Sequence, residues 1–326
     1  MASCFFLSNF NNMGDMLTPL IFKHFGIHLI ERDSKHNPML TGIGSLLNAV
    51  RSDYRGLIWS AGAMYARPIP LNSRCVVKAV RGKHTLALLR RSNGFMKGRE
   101  VTVGDGGLIL DRIIPPRKAP PKYKLGVVPH WFDRWTVTRH CRKLLDRPDV
   151  IFIDICQDAR TVIAQMQNCE GIIASSLHGL VVADAYGIPN RRFIVSTSAK
   201  IASFKYNDYY SAFLSRPPTP FRLTPNSTCG SVIPLLHRHV VPTELKDRLW
   251  SSLEESVGWI LGHPKYKKNY IAPHKRQTPL PITVPRHIAK NRRFAQRRKH
   301  RRAFHQQRSH FRPLARPVRS NPMGIP

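Results

Sequence analysis

Acidic residues are scarce in this chain: its 326 residues include 19 Asp and Glu against 52 Lys and Arg, a formal net charge of +33. The excess is uneven, because from Lys265 onward 18 residues are Lys or Arg and none is Asp or Glu. Paired cysteines are also missing. The six (Cys4, Cys75, Cys141, Cys156, Cys169, Cys229) include no C-x-x-C pair, and several lie in apolar runs. That excludes a zinc ribbon or a disulfide framework and reads as reduced core thiols. Histidines do not fall at H-x-x-x-H or H-E-x-x-H spacing around a candidate site, so neither metal nor cofactor is expected. No apolar run approaches the roughly 18 residues of a membrane helix. The start, MASCFFLSNFNN, lacks a basic n-region and has too short an apolar run for a signal peptide, so a cytoplasmic protein is expected.

What is present is enough apolar residue, 42%, for two domains of ordinary size. The most informative stretch is GIIASSLHGLVVADAYGIPN, residues 171–190. A short apolar run reads as a buried strand, two serines as a tight turn, and 177–186 as a helix stopped at Gly187 and Pro189. Ser175 or Ser176 stands at the N-cap position and His178 in the first turn. A helix start at the carboxyl end of a parallel strand presents free N–H groups and partial positive charge, which suits a phosphate or carboxylate. The plainer alternative is that the serines only cap and His178 only packs.

The same strand, loop and helix order recurs. Residues 2–8 read as a strand, 9–15 as a polar loop and 16–24 as a helix, with Asp15 at the helix start as a cap or a contact to a substrate hydroxyl. Strands are expected near 56–60, 75–80, 101–103, 124–128, 150–155 and 192–195. Helices are expected from about 84 to 89, 137 to 145, 159 to 168 and 243 to 261, with 205–210 an aromatic loop or helix start. Alternation of this kind, with strands apolar on both faces, predicts an α/β fold of two Rossmann-like parallel-sheet domains. By analogy they would face a cleft, as in GT-B sugar transferases. The expected boundaries are 1–114 for an acceptor-side domain, 115–123 for a linker around PPRKAPPK, 124–262 for a donor-side domain and 263–326 for a basic tail, disordered in isolation. Such a tail binds polyanions, either nucleic acid or an anionic membrane surface, or it is an extension without function.

Several segments occur in a telling order: NMGDML at 12–17, GIGSLL at 42–47, SAG at 60–62, VRGKHT at 80–85, GDGGL at 104–108, VPHWFD at 128–133 and IASSLHGLVVADAYGIPN at 173–190. Together they resemble the polysaccharide pyruvyl transferase family, which includes ketal-pyruvate transferases of the succinoglycan type, over about residues 8–215. The resemblance implies transfer of a pyruvyl group from phosphoenolpyruvate to a sugar of an exopolysaccharide or a lipid-linked oligosaccharide, forming a ketal. Work at the inner face of the cell membrane would follow. It further implies catalytic roles for His178, His130 and Asp15. Ser175, Ser176, Gly179, Arg81 and Lys83 would bind the donor, and Asp105, Asp133 and Lys205 the acceptor. Two rivals stand beside it. A nucleotide-sugar glycosyltransferase would need a late carboxylate, for which Glu254 and Glu255 are the candidates. A nucleic-acid or polyanion-binding protein would act through the tail and leave the serine–histidine helix start unexplained.

Overall fold

The computed structural model describes residues 1–6, 12–32, 36–195, 203–264 and 266. The expected tail falls almost wholly outside the described residues. All the described residues belong to one compact unit, Met1–Asn269.

Short apolar segments form the strands of the first sheet: β1 (Ala2–Phe5), β2 (Leu29–Glu31), β3 (Leu40–Thr41), β4 (Leu57–Ala61), β5 (Val76–Val80) and β6 (Thr102–Val103). They pair in the order β2-β1-β3-β4-β5-β6, every pair parallel. The central strand β4 is buried along its whole length, as a sheet covered on both faces requires. Two helices follow strands of this sheet: α1 (Met13–His24) and α2 (Lys83–Ser92). Asn12 caps α1, accepting from Gly14 N–H. Helix α1 therefore starts three residues before the predicted position, which puts Asp15 inside the first turn.

The second sheet comprises β7 (Tyr123–Val128), β8 (Val150–Phe152), β9 (Cys169–Ala174), β10 (Asn190–Ile194) and β11 (Phe221–Arg222), again wholly parallel, in the order β11-β10-β9-β7-β8. Between them run α3 (Arg134–His140), α4 (Arg142–Leu145), α5 (Ala159–Met166), α6 (Leu177–Ala185) and α7 (Ser203–Tyr210); α8 (Cys229–Val232) and α9 (Thr243–Gly262) follow. The expected helix at 137–145 begins earlier and breaks at Cys141, which leaves helical geometry at φ −105° and ψ 38°. The fold is thus two parallel-sheet α/β layers, with the 115–122 stretch exposed between them.

Helix α6 is apolar on every side except His178 and Asp184, and all nine of its residues are buried. Such a helix belongs inside a core. One face packs on β9, and the other meets the 3-10 turn Gly106–Arg112 that follows β6. A Cβ on Gly107 would lie 2.7 Å from Val181, so glycine there permits the approach. One apolar cluster runs through both layers, from Leu17, Trp59 and Leu108 to Val128, Ile172 and Leu180.

Helix α9 lies after the second sheet in sequence, but it packs on β4, β5 and β6 of the first. Its stripe Leu245, Leu249, Leu253, Val257 and Ile260 is buried, and Ser252 Oγ accepts from Trp59 Nε1 at 3.1 Å. Leu249→Ala should therefore lower stability by about 2–5 kcal/mol in urea unfolding, the range for a fully buried leucine. Leu261→Ala, at a position 46% exposed, should change it by less than about 0.5 kcal/mol.

Candidate functional site

Parallel α/β sheets bind ligands where strand order reverses, beyond the strands' carboxyl ends. The first sheet reverses between β1 and β3, and the second between β7 and β9. The chain leaves these four strands through the α1 start, Gly42–Ser45, Pro129–Asp133 and Ser175–His178. The fold brings segments from both switch points into contact. Met13 N–H donates to Ile155 O across the layers at 2.8 Å. A Cβ added to Gly14 would overlap His178 Nδ1, and one on Gly44 would lie 3.6 Å from Asp15 Oδ1.

Ser176 is the N-cap of α6, and no side chain caps that helix start. Gly179 lets the first turn settle on the sheet, since a Cβ there would stand 3.0 Å from both Ala174 and Val128. Ser175 has a different task from the expected one. Its hydroxyl donates to Asp133 Oδ2 at 2.6 Å and accepts from His130 N–H at 2.9 Å, while its carbonyl accepts from Tyr206 OH at 2.7 Å. Ser175 thus ties the β7 loop and α7 to the α6 start.

His178 is buried, and its Nε2 lies 3.9 Å from Asp105 Oδ2. Among the described residues neither atom has a hydrogen-bond partner. Burial, reinforced by the charges of Arg81 and Lys205, pushes His178 down to about 3. The imidazole is therefore neutral at neutral pH. His130, half-buried, is pushed down to about 3 by burial and then by Lys205 and His178. Asp105 is fully buried, accepts Gly107 N–H through Oδ1 at 2.9 Å and is pushed up to about 6, chiefly by burial. Its turn is held by Ser60, which sits at φ +64°. Ser60 Oγ donates to Gly104 O and accepts from Gly106 N–H. A left-handed serine inside a buried strand is strained, and here the strain serves Asp105's placement.

Asp15 is pushed up to about 7; burial outweighs a hydrogen bond from Asn12 and the charge of Lys205. Asp133 is also raised, by burial first. Lys205, buried on α7, is pushed down to about 8 by burial and by Arg81 and Arg192. Among the described residues it makes no ion pair, and its Nζ lies 5.2 Å from the Tyr206 ring. Arg192 stacks on the same ring, its Cζ 3.5 Å from the centroid. Lys205 also feels the carboxylates of Asp15 and Asp133.

Arg81 and Lys83 part company. Arg81 is fully buried and spends its guanidinium on Asp208 (Nε 3.0 Å, Nη2 2.9 Å), Ser45 Oγ (2.7 Å) and Ala63 O (2.5 Å). Asp208 is completed by Thr85, whose N–H and hydroxyl each donate at 2.7 Å. Arg81 thus locks α7, and with it Lys205, against the first sheet, and contributes to the site only at a distance. Lys83 is exposed at the start of α2, its N–H bonded to Ser211 Oγ, and no contact among the described residues joins it to the cluster. Glu254 accepts from Trp250 Nε1, and Glu255 pairs with Lys78 on the exposed face of α9. Among the described residues, no three His, Cys, Asp or Glu side chains converge as a metal site needs. No helix among them is long and apolar enough to cross a membrane.

Arg192, Asp208 and Ser60 were not expected at the site. A doubled arginine, Arg191 and Arg192, within the strand β10 was the available signal for the first. Nothing local marked the other two.

Residues 72–196 match the family described as Polysaccharide pyruvyl transferase. The matched segment is less than half of the chain. It carries β5 through β10, and so Arg81, Asp105, His130, Asp133 and the whole α6 start. An uncharacterized protein of Acanthamoeba polyphaga mimivirus is 33% identical over 184 residues, 55% of this chain and 61% of that protein. Succinoglycan biosynthesis protein ExoV of Rhizobium meliloti (strain 1021) is 37% identical over 87 residues, 27% of this chain and 26% of that protein. The chain therefore spans less than two thirds of the length of either curated relative. No solved structure matches it.

Breaking the Arg81–Asp208 pair tests the positioning role within the family segment. Arg81→Leu should destabilise the protein by about 3–5 kcal/mol, because it strands a buried carboxylate. Lys83→Ala should fall within about 0.5 kcal/mol of the parent in the same denaturant titration.

Proposed function

We propose that the protein is a pyruvyl transferase that moves the pyruvyl group of phosphoenolpyruvate onto a sugar of a polysaccharide or lipid-linked oligosaccharide, closing a ketal. The observation that carries this reading is the α6 start, without a side-chain cap, near a buried Lys205 that makes no ion pair among the described residues. The N–H groups of 177–179, the Ser176 hydroxyl and the Lys205 ammonium offer donors and charge for a phosphate and a carboxylate together. Arg192 and the more distant Arg81 add positive potential. The ExoV relative, a succinoglycan biosynthesis protein, supports a glycan acceptor.

The chemistry balances with one proton in and two out. A carboxylic acid gives a proton to the methylene carbon of the enol, which becomes the methyl group. One sugar hydroxyl adds to the neighbouring carbon. Phosphate leaves with the electron pair of its carbon–oxygen bond, and the second hydroxyl closes the ring. The two hydroxyl protons return to the acid and to the solvent. Asp15 suits the acid, because at about 7 its carboxyl is still partly protonated at neutral pH. Neutral His178, backed by Asp105, suits orientation of the donor and stabilisation of charge on the departing phosphate. His130 and Asp133 suit the acceptor side.

Incubation with phosphoenolpyruvate and lipid-linked oligosaccharides should release phosphate and yield acid-labile pyruvate on the glycan; nucleotide sugars should give no transfer. Asp15→Asn should lower kcat by about 10²–10⁴-fold, the usual worth of a general acid. If the Asp15 carboxyl must be protonated, the rate should hold below pH about 7 and fall about tenfold per pH unit above it. A parent enzyme whose rate keeps rising above that pH would rule out Asp15 as the acid.

Gly14→Ala offers a separate check on the imidazole. The added Cβ would overlap the ring and must displace His178, so transfer should drop at least as far as in His178→Ala while the far-ultraviolet circular dichroism is unchanged.

A further inference from the structure

The β7–α3 loop carries a feature that the proposed donor site does not use. The His130, Trp131 and Phe132 rings stand nearly parallel: Phe132 lies 5.3 Å from His130 at 11° and 3.5 Å from Trp131 at 28°. Trp131 packs on the core, whereas Phe132 is 49% exposed and Trp135, three residues on, is 57% exposed. Arg139 holds the indole from one side, 4.9 Å over its ring, and His140 meets it edge-on at 6.2 Å. Large aromatics exposed to solvent mark a binding surface.

This surface is continuous with the site. His130 senses the charges of Lys205 and His178, and Asp133, the residue between Phe132 and the α3 helix, is bonded to Ser175. Flat aromatic faces beside a carboxylate and a guanidinium match a pyranose, which has an apolar C–H face and a rim of hydroxyls. A lipid surface would prefer a broader apolar patch without the carboxylate.

We infer that Phe132 and Trp135 form a stacking subsite for a neutral hexose of the glycan acceptor, with Asp133 receiving its hydroxyls. This rests on the pyruvyl transferase reading for the site it adjoins, but it concerns saccharide binding alone.

Isothermal titration of the full chain with phosphoenolpyruvate and, separately, with cellotetraose, maltotetraose and β-1,4-galactotetraose separates the two. At least one tetrasaccharide should bind. The double variant Phe132→Ala/Trp135→Ala should raise its Kd about tenfold or more and leave the phosphoenolpyruvate Kd unchanged. Both side chains are exposed, so folding should survive, which the unchanged donor Kd also checks. Lys205→Met should give the opposite pattern. Failure of every tetrasaccharide to bind, or equal binding by the double variant, overturns the subsite. So does a double variant that loses only adhesion to anionic vesicles or only self-association. Saccharide binding lost in the double variant, without any phosphoenolpyruvate binding in the parent, would sustain the subsite and sink the donor assignment instead.

Discussion

An imidazole pressed against the Cα of Gly14 sets how closely the two sheets approach at the site. His178 enters from α6 and the second sheet, and Gly14 from α1 and the first; no side chain fits between them. Behind the ring lies Asp105, delivered by the turn after β6. Three elements remote in sequence therefore share one contact. Glycines 107 and 179 answer the same demand at neighbouring points, where α6 meets the first sheet's turn and its own sheet. Loss of any of these close approaches would move the α6 start relative to α1.

Charge is the second organising factor. Burial drives the site's groups towards neutrality: the two histidines fall to about 3, and Asp15 and Asp105 rise to about 7 and 6. Lys205 resists only in part, at about 8, and remains a cation at neutral pH. Arg81, fully buried, is paired with Asp208 at contact distance. The site thus sets a structural ion pair, fully satisfied, beside a buried lysine that makes no ion pair among the described residues. Burial chiefly, and after it the neighbouring positive charges, holds the histidine values down.

The family segment, residues 72–196, and the site do not coincide. The segment supplies the α6 start and the aromatic loop. Asp15 comes from before it, and Lys205, Tyr206 and Asp208 from after it. Asp15 and Lys205 thus lie on flanking elements, α1 and α7. Both are fastened to the segment, by Met13 to Ile155 and by Arg81 to Asp208.

Local pattern alone was enough for the alternating α/β order, the strand, turn and helix at 171–190, and the position of His178 in a first helical turn. These follow from apolar periodicity, caps and glycine stops, which act over a few residues. Strands β2, β3 and β11, of two or three residues each, are too short to leave a period. Tertiary structure alone decided the strand orders, and so where the two switch points meet. It also carried α9 back to the first sheet, although its stripe of leucines suits either layer equally. It committed the Ser175 hydroxyl to Asp133 and buried Arg81 against a partner 127 residues away. A strand-end arginine and a turn serine look alike in sequence whether solvated, ligand-bound or paired. Their roles depend on which distant group the fold brings within 3 Å, and that depends on packing of the whole core rather than on neighbours along the chain.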